Sequence, residues 1–286
     1  MDGRQRRAAL PAHRAAGRGR GLSSEATAQL RGLVDSHCHL QDVAFDADRE
    51  AVLERAAAAG VEQLLVPGFD LPSSRGAMAL AAAYPQVRAA VGVHPHFAGS
   101  TTAAEWDELA QLAAEPDVVA VGEIGLDYFR NLSPPAVQRE AFARQLALAT
   151  ELNKPVLVHD REAHEDIRTA LLDWSGPGRP TRGVLHAFSG DEPMARELTS
   201  AGFLVSFALP ITFKSATGPR ATAAAVERGA FLTETDSPWL APQGREARNE
   251  PTTVLRVASE LARLRDEPPQ VVATGVAGAF ARLIGA

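Results

Sequence analysis

The feature that most constrains the fold is a regular alternation of short apolar segments and amphipathic or alanine-rich segments, from Leu33 to the end of the chain. The short segments are rich in Val, Leu and Phe, which is typical of buried strands, and the longer ones have helical spacing. Eight strands are predicted, at 33–35, 61–67, 87–93, 118–123, 156–159, 183–186, 203–207 and 231–234. Each is followed by a helix, so the pattern predicts a parallel sheet covered by helices on both faces.

Eight such units favour a closed barrel over an open sheet. A (β/α)8 TIM barrel needs about 250 residues, and this chain has 286. The alternative is a doubly wound open sheet, but neither its glycine-rich phosphate-binding fingerprint nor a Walker-type run is present in the sequence. We therefore predict an α/β fold with a closed parallel barrel and a single domain over residues 33–286.

The first 32 residues differ from the rest in charge. They contain seven arginines and two acidic residues, so residues 33–286 carry a net charge of −11 in a chain whose total is −6. We expect residues 1–32 to form a disordered basic extension, with a nucleic-acid-binding tail as the functional alternative. The single cysteine precludes an intrachain disulfide, and no apolar run reaches the roughly 18 residues of a membrane helix. We expect a cytoplasmic monomer without a membrane partner.

Polar side chains occur where the predicted strands end. His37 and His39 follow the first strand, and residues two apart in an extended chain share a face, so both imidazoles can point to one place. The later strand ends carry His94, Glu123, His159, His186, Glu234 and Asp236. A single histidine at such a position is usually only hydrogen-bonded. In a barrel, however, all these ends meet at one rim, and together they favour a metal site.

Four histidines and two carboxylates suit a pair of divalent ions, and Mg, Mn and Zn are all compatible with these ligands. Two ions about 3.5–4 Å apart can stabilise the attacking and leaving oxygens of a displacement, and they lower the pKa of water from about 15.7 towards 7. We predict Glu123 as the carboxylate between the ions and Asp236 as the base that accepts the proton.

Seven motifs in order resemble the TatD family of metal-dependent hydrolases, which are barrels associated with nuclease activity. They are D-S-H-C-H at 35–39, V-G-V-H-P at 91–95, G-E-I-G-L-D-Y at 122–128, P-V-L-V-H at 155–159, H-A-F-S-G at 186–190, E-T-D-S-P at 234–238 and R-N-E-P at 248–251. The resemblance implies that the metal ligands are His37, His39, Glu123, His159, His186 and Asp236. It also implies cleavage of phosphodiester bonds in single-stranded DNA or RNA, by a 3′–5′ exonuclease.

The residues that would bind a substrate are predicted on weaker grounds, because the acidic domain offers no broad basic face for a duplex. The candidates are His94, Arg161, Lys214, Arg245 and Arg248. Lys214 is equally compatible with a solvated loop charge, and Arg248 with an ion pair to Glu250. Phe97 and Trp239 could stack a base, although packing between loops is the more ordinary role.

Two other functions are compatible with the same residues. The first is a barrel hydrolase that cleaves a small lactone, amide or phosphoester with the same dinuclear centre. The second is a non-catalytic scaffold on a decayed barrel, which is disfavoured because none of the expected ligands is missing. His164, which follows the fifth strand, is interpreted as a surface residue.

Overall fold

A computed structural model of the protein describes residues 30–175, 182–242 and 248–286. Within these ranges, eight parallel strands pair in chain order. They are β1 (Leu33–Asp35), β2 (Val61–Pro67), β3 (Val87–Val91), β4 (Val118–Asp127), β5 (Val156–Arg161), β6 (Gly183–Leu185), β7 (Phe203–Phe207) and β8 (Phe231–Thr233). Since every pairing is parallel and follows chain order, the predicted (β/α)8 barrel is confirmed.

Hydrogen bonds between the first and last strands complete the barrel. The Ser36 amide donates to the Thr233 carbonyl at 2.9 Å, and the Thr233 hydroxyl donates to the Val34 carbonyl at 2.7 Å. One step further along, the Asp236 amide donates to the His37 carbonyl at 2.9 Å. The closure therefore places the residues after β8 directly beside the residues after β1.

Helices cover the outside of the barrel. They are α1 (Arg49–Ala58), α2 (Leu71–Ala83), α3 (Ala103–Ala114), α4 (Pro135–Glu151), α5 (His164–Trp174), α6 (Glu192–Ser200), α7 (Thr217–Ala225), α8 (Val254–Arg265) and α9 (Pro269–Ile284). The sequence marks several of their ends. Asp70 and Ser73 form a capping box at the start of α2, and Thr102 and Glu105 form another at the start of α3. Within the described ranges, no helix combines the length and apolar character needed to cross a bilayer.

Two strands extend beyond their predicted ends. β4 continues past Glu123 to Asp127, and β5 continues past His159 to Arg161, because Gly125, Leu126 and Asp127 pair with His159, Asp160 and Arg161. The β5 extension is polar, and the β4 extension is interrupted by Gly125, so a run of apolar residues does not reveal either of them. As a result α5 begins only at His164.

The chain is packed from at least Leu30, three residues before the predicted domain boundary. Leu30 is 4% exposed and belongs to the cluster of buried side chains around Phe45 and Val52. Gly60 makes this approach possible, because a Cβ atom there would lie 2.1 Å from the Leu30 carbonyl oxygen. Residues 1–29, which form most of the predicted basic extension, lie outside the described residues.

Candidate metal centre

The polar residues that follow β1 and β8 form one half of a cluster at the mouth of the barrel, where the C-terminal ends of the strands meet. The Nε2 atoms of His37 and His39 are 3.0 Å apart. The Asp236 Oδ1 atom lies 3.8 Å from His37 Nε2 and 3.5 Å from His39 Nε2. Glu123 Oε2, from β4, lies 3.4 Å and 3.6 Å from the same two nitrogens.

The other half of the cluster surrounds the second oxygen of Glu123. Glu123 Oε1 lies 2.9 Å from His186 Nε2, 3.0 Å from His159 Nδ1 and 3.5 Å from His94 Nε2. The His159 Nδ1 and His186 Nε2 atoms are themselves 3.1 Å apart. Each oxygen of one buried carboxylate thus faces a different group of imidazoles.

Local sequence explains how β1 presents its two histidines on one side. Between them, Cys38 points the other way, and its buried thiol lies 3.7 Å from the Leu65 carbonyl oxygen. Asp35 anchors the start of the turn, since its carboxylate accepts hydrogen bonds from the Thr235 hydroxyl at 2.6 Å and the Thr235 amide at 2.9 Å. The same bonds hold the segment after β8, which carries Asp236.

The donor set fits divalent cations. Three groups of ligand atoms each lie within 4.8 Å of one another, namely His37 with His39 and Asp236, His94 with Glu123 and His159, and His37 with His186 and Glu234. Facing imidazole nitrogens such as those of His37 and His39 can share only one proton, whereas a cation satisfies both. In the described part of the chain, the buried Nδ1 atoms of His37, His39 and His186 also have no hydrogen-bond partner.

Electrostatics keep both acids of the proposed ligand set ionised. Burial opposes ionisation of Glu123, but the surrounding imidazoles of His186, His94 and His37 outweigh it and hold its pKa well below the usual range. Burial likewise opposes ionisation of Asp236, and contact with His39 and His37 lowers its pKa below the ordinary value. Two negative charges are therefore available to neutralise bound cations.

The imidazoles divide into two kinds. Burial lowers the pKa of His37, and nearby His186 lowers it further; burial also takes the pKa of His94 well below its usual value. Burial opposes protonation of His186 too, but the carboxylates of Glu123 and Glu234 outweigh it and raise its pKa well above the ordinary value. For His159, hydrogen bonds to Asp127 and Glu123 outweigh burial and raise the pKa.

Two residues beside this cluster, Asp127 and His96, were not predicted from the sequence. Asp127 Oδ2 lies 3.3 Å from His159 Nε2, the nitrogen that faces away from Glu123, and 2.7 Å from His96 Nε2. Burial opposes ionisation of Asp127, but hydrogen bonds from His159, Arg130 and His96 lower its pKa far below the ordinary value. The available signal was the acidic residue in the 122–128 motif, since a metal-binding histidine usually gives its second nitrogen to a carboxylate.

Glu234 is buried directly under the cluster. One of its oxygens accepts a hydrogen bond from the Ala187 amide at 2.6 Å, and the Ser206 hydroxyl donates to the other. Its Oε1 atom lies 3.6 Å from His186 Nδ1. Glu234 thus holds the segment after β6 in place and puts a negative charge beside the His186 ring.

The cluster forms the floor of a cavity of about 510 Å³, which we call the mouth cavity. His94 and Arg161, both predicted as substrate contacts, line it, together with Arg130, Phe69, Phe97, Phe129 and Trp239. Its volume is in the usual range for a small-molecule site. The predicted stacking candidates Phe97 and Trp239 therefore both face the space above the cluster.

Two further substrate candidates, Lys214 and Arg248, lie away from the described lining of the mouth cavity. Lys214 is exposed and is absent from the described lining of the mouth cavity. Arg248 contacts Asp48 at 2.6 Å and Glu250 at 3.3 Å, so it braces Glu250, which is the alternative considered from the sequence. Arg245 lies outside the described residues. His164 is partly exposed and contacts Asp160 at 2.7 Å.

A family model of the TatD related DNases matches residues 34–285. The chain belongs to the TatD family. This TatD-family protein is 40% identical over 235 residues to YabD of Bacillus subtilis, described as an uncharacterized metal-dependent hydrolase, and the match covers 82% of this chain and 91% of that protein. It is 35% identical over 243 residues to the 3′-5′ ssDNA/RNA exonuclease TatD of Escherichia fergusonii, covering 82% and 92%.

The crystal structure of YjjV, a TatD homolog of Escherichia coli K12, superposes with a TM-score of 0.83 at 32% identity. This alignment covers 89% of the present chain and 98% of YjjV. The predicted family is confirmed, and the protein is a metal-dependent hydrolase that acts on ester bonds. Its particular ester is not given by family membership, because relatives of similar identity include both exonucleases and uncharacterized hydrolases.

Proposed function

We propose that this protein is a metal-dependent nuclease that removes nucleotides from single-stranded DNA or RNA in the 3′–5′ direction. The observation that carries the proposal is the position of Glu123, whose two oxygens face separate imidazole groups at 2.9–3.0 Å and 3.4–3.6 Å. Two cation positions about one carboxylate suit the displacement at a phosphodiester, where both an entering and a departing oxygen need charge stabilisation.

The residues assigned to hold two divalent ions are those of the cluster. They are His37, His39, Glu123, His159, His186 and Asp236, and Mg, Mn and Zn remain the candidate ions. When bound, such ions supply electrostatic stabilisation of the phosphoryl oxygens and ionise water near neutral pH. The family name and the donor set support this assignment.

The chain's own residues have separate roles in the proposed reaction. Asp236 is ionised and lies at the edge of the cluster, with 15% of its side chain exposed, so it can accept a proton from water that enters the mouth cavity. His94 is buried beside Glu123, and its lowered pKa leaves a neutral imidazole that can hydrogen-bond a phosphate oxygen or the departing hydroxyl. Arg161 lines the mouth cavity and can contact a neighbouring phosphate.

A single strand is the polymer that this site suits best. The domain is acidic, with −11 over residues 33–286, so binding along the whole backbone of a duplex is disfavoured. Among the described residues, the positively charged side chains beside the cluster are those of Arg130 and Arg161, and both line the mouth cavity. A chain end with flexible, unpaired nucleotides can reach the cavity floor.

The test uses a single-stranded oligonucleotide labelled at its 5′ end, the same strand in a duplex, and a panel of small lactones, amides and phosphoesters. Each is incubated with Mg²⁺ or Mn²⁺, with and without chelator. We expect stepwise shortening of the single strand from its 3′ end, with loss of at least about 100-fold in activity for Glu123→Gln. Glu54→Gln, an exposed change on α1, serves as the matched control.

Two results would decide against this proposal. An intact oligonucleotide alongside turnover of a small ester would assign the same centre to a small-molecule hydrolase. Full activity in Glu123→Gln would reject the shared carboxylate. We also propose that the protein is cytoplasmic, which its single cysteine supports. We further propose that it is a monomer, which sedimentation of the purified protein tests.

A further inference from the structure

Two large aromatic side chains are exposed at the mouth cavity, although exposure of rings normally costs free energy. Phe129 is 59% exposed and Trp239 is 46% exposed, and both line the cavity above the cluster. Exposed apolar groups beside a polar site commonly mark a place where a ligand is bound. These rings therefore suit a ligand with flat apolar faces.

The two rings lie beside opposite halves of the metal cluster. The Trp239 ring meets the His39 ring edge-on, and the two ring centres are 4.6 Å apart. Phe129 follows Asp127 by two residues, and Asp127 contacts His159 in the other half. A phosphate bound at Glu123, between the halves, would therefore have one aromatic ring on each side.

Both rings are held by anchored backbone rather than by free loops. The Asp127 carboxylate accepts the Arg130 amide at 2.7 Å, and the buried Gln138 side chain bonds both the amide and the carbonyl of Asp127, at 2.8 and 3.0 Å. On the other side, the Trp239 amide donates to the Asp236 carbonyl at 2.9 Å. The backbone that carries each ring is thus fixed before any ligand arrives.

Positive charge accompanies the ring beside His159. The Arg161 guanidinium lies 4.8 Å from the centre of the Phe129 ring, and Arg130 lines the same cavity. Within the described part of the chain, neither arginine forms an ion pair, in contrast to Arg248. A ligand with flat apolar groups linked by negative charge matches this surface.

We propose that Trp239 and Phe129 form a base clamp, in which each ring stacks one of the two unpaired bases joined by the scissile phosphate. This proposal rests on the nuclease function proposed above and specifies its substrate as a base-bearing dinucleotide step. Stacking on an aromatic ring tolerates any base, since every base has a π-face. The clamp also selects single strands, because a base inside a duplex has no free face to offer.

The experiment compares an oligothymidylate labelled at its 5′ end with two matched oligomers that carry an abasic residue at the 3′ end or at the preceding position. The variants are Trp239→Ala, Phe129→Ala, the conservative Trp239→Phe, and Leu132→Ala. Leu132 is 65% exposed and does not belong to the described cavity lining, so it is a matched control for losing a surface apolar group.

Loss of one stacked base is expected to raise KM by about 5- to 150-fold in each alanine variant, with kcat changed much less. Trp239→Phe should retain most of the wild-type affinity, and Leu132→Ala all of it. An abasic residue should raise the KM of the wild-type protein by a similar factor. In the variant that lacks the ring facing that position, the abasic residue should raise KM little further. Equal KM values for abasic and base-bearing oligomers would overturn the clamp.

A second measurement does not depend on turnover. The chain has three tryptophans, and the clamp places only Trp239 of these against a base. In the presence of chelator, oligothymidylate should therefore quench part of the tryptophan fluorescence of the wild-type protein and leave the fluorescence of Trp239→Phe unchanged. Unchanged fluorescence in the wild-type protein would contradict the clamp. If the wild-type enzyme cuts oligothymidylate while the variants behave normally, only the clamp fails; if it never cuts oligothymidylate, the nuclease proposal fails as well.

Discussion

Removing the charge of Asp127 tests whether the residues around the cluster control its affinity for metal. Asp127 Oδ2 lies 3.3 Å from His159 Nε2, so it holds a proton on that nitrogen and leaves Nδ1 free to face Glu123 and His186. Asp127→Asn keeps the shape of the side chain but removes the negative charge. The variant therefore weakens the preference of the His159 ring for the orientation and tautomer that a cation needs.

The size of the effect follows from the geometry. Loss of such a partner typically costs 10- to 100-fold in metal affinity, or about 1.4–2.7 kcal/mol. The Asp127 contact to His159 is longer than its contact to His96, 3.3 Å against 2.7 Å. We therefore expect a loss near the lower limit, about tenfold in the dissociation constant for Mn²⁺.

The assay is calorimetric titration of the metal-free protein with Mn²⁺, supported by the metal-dependent increase in thermal stability. A tenfold weaker site lowers the stabilisation at saturating metal by about 1.4 kcal/mol. His96→Asn is the matched control, because it removes the second imidazole that contacts the Asp127 carboxylate and leaves the contact between Asp127 and His159 in place. Unchanged Mn²⁺ affinity in Asp127→Asn, or an equal loss in His96→Asn, would refute the reasoning.

Three further predictions follow from other contacts. Because the pKa of His186 is raised well above its usual value, a cation must displace its proton; Mn²⁺ affinity should therefore fall with decreasing pH, by about tenfold per pH unit for each displaced proton, as titrations at several pH values would measure. Gln138→Ala leaves buried backbone groups around Asp127 without partners and should lower the free energy of unfolding by about 1–3 kcal/mol, as measured with urea. Arg161→Gln should raise KM for an oligonucleotide by about 5-fold or more. Arg248→Gln breaks ion pairs outside the described lining of the mouth cavity, so it should lower Tm and leave KM unchanged. Steady-state kinetics measure KM and calorimetry measures Tm.

The barrel could be predicted because its strands are buried on both faces and are therefore nearly continuous in apolar residues. The strand at 203–207 has the predicted ends, since it is wholly buried. The extension of β4 to Asp127 could not be predicted in the same way. In this extension Ile124 and Leu126 alternate with Gly125 and Asp127, and its pairing with β5 forms only in the folded barrel.

The candidate site was foreseeable to the extent that it follows from the ends of strands. His37, Glu123 and His159 come together because parallel strands in a barrel have their ends at one rim. The outer contacts depend on loops and on partners distant in sequence, and these have no periodic signal. Arg248 illustrates the limit, because its pairing with Asp48, 200 residues away, is visible only after α1 and the segment before α8 pack together.

The acidic exterior of the domain has a kinetic consequence for a polymer substrate. For single strands, the logarithm of the binding constant falls by about 0.7 per phosphate contacted for each tenfold increase in salt. The described cations at the mouth cavity are Arg130 and Arg161, so few phosphates are contacted there and affinity should depend only weakly on salt. Little electrostatic attraction then retains a strand that the proposed nuclease has shortened. The enzyme is expected to work distributively, dissociating between successive cuts, so that a time course yields an even ladder of intermediates across all the strands.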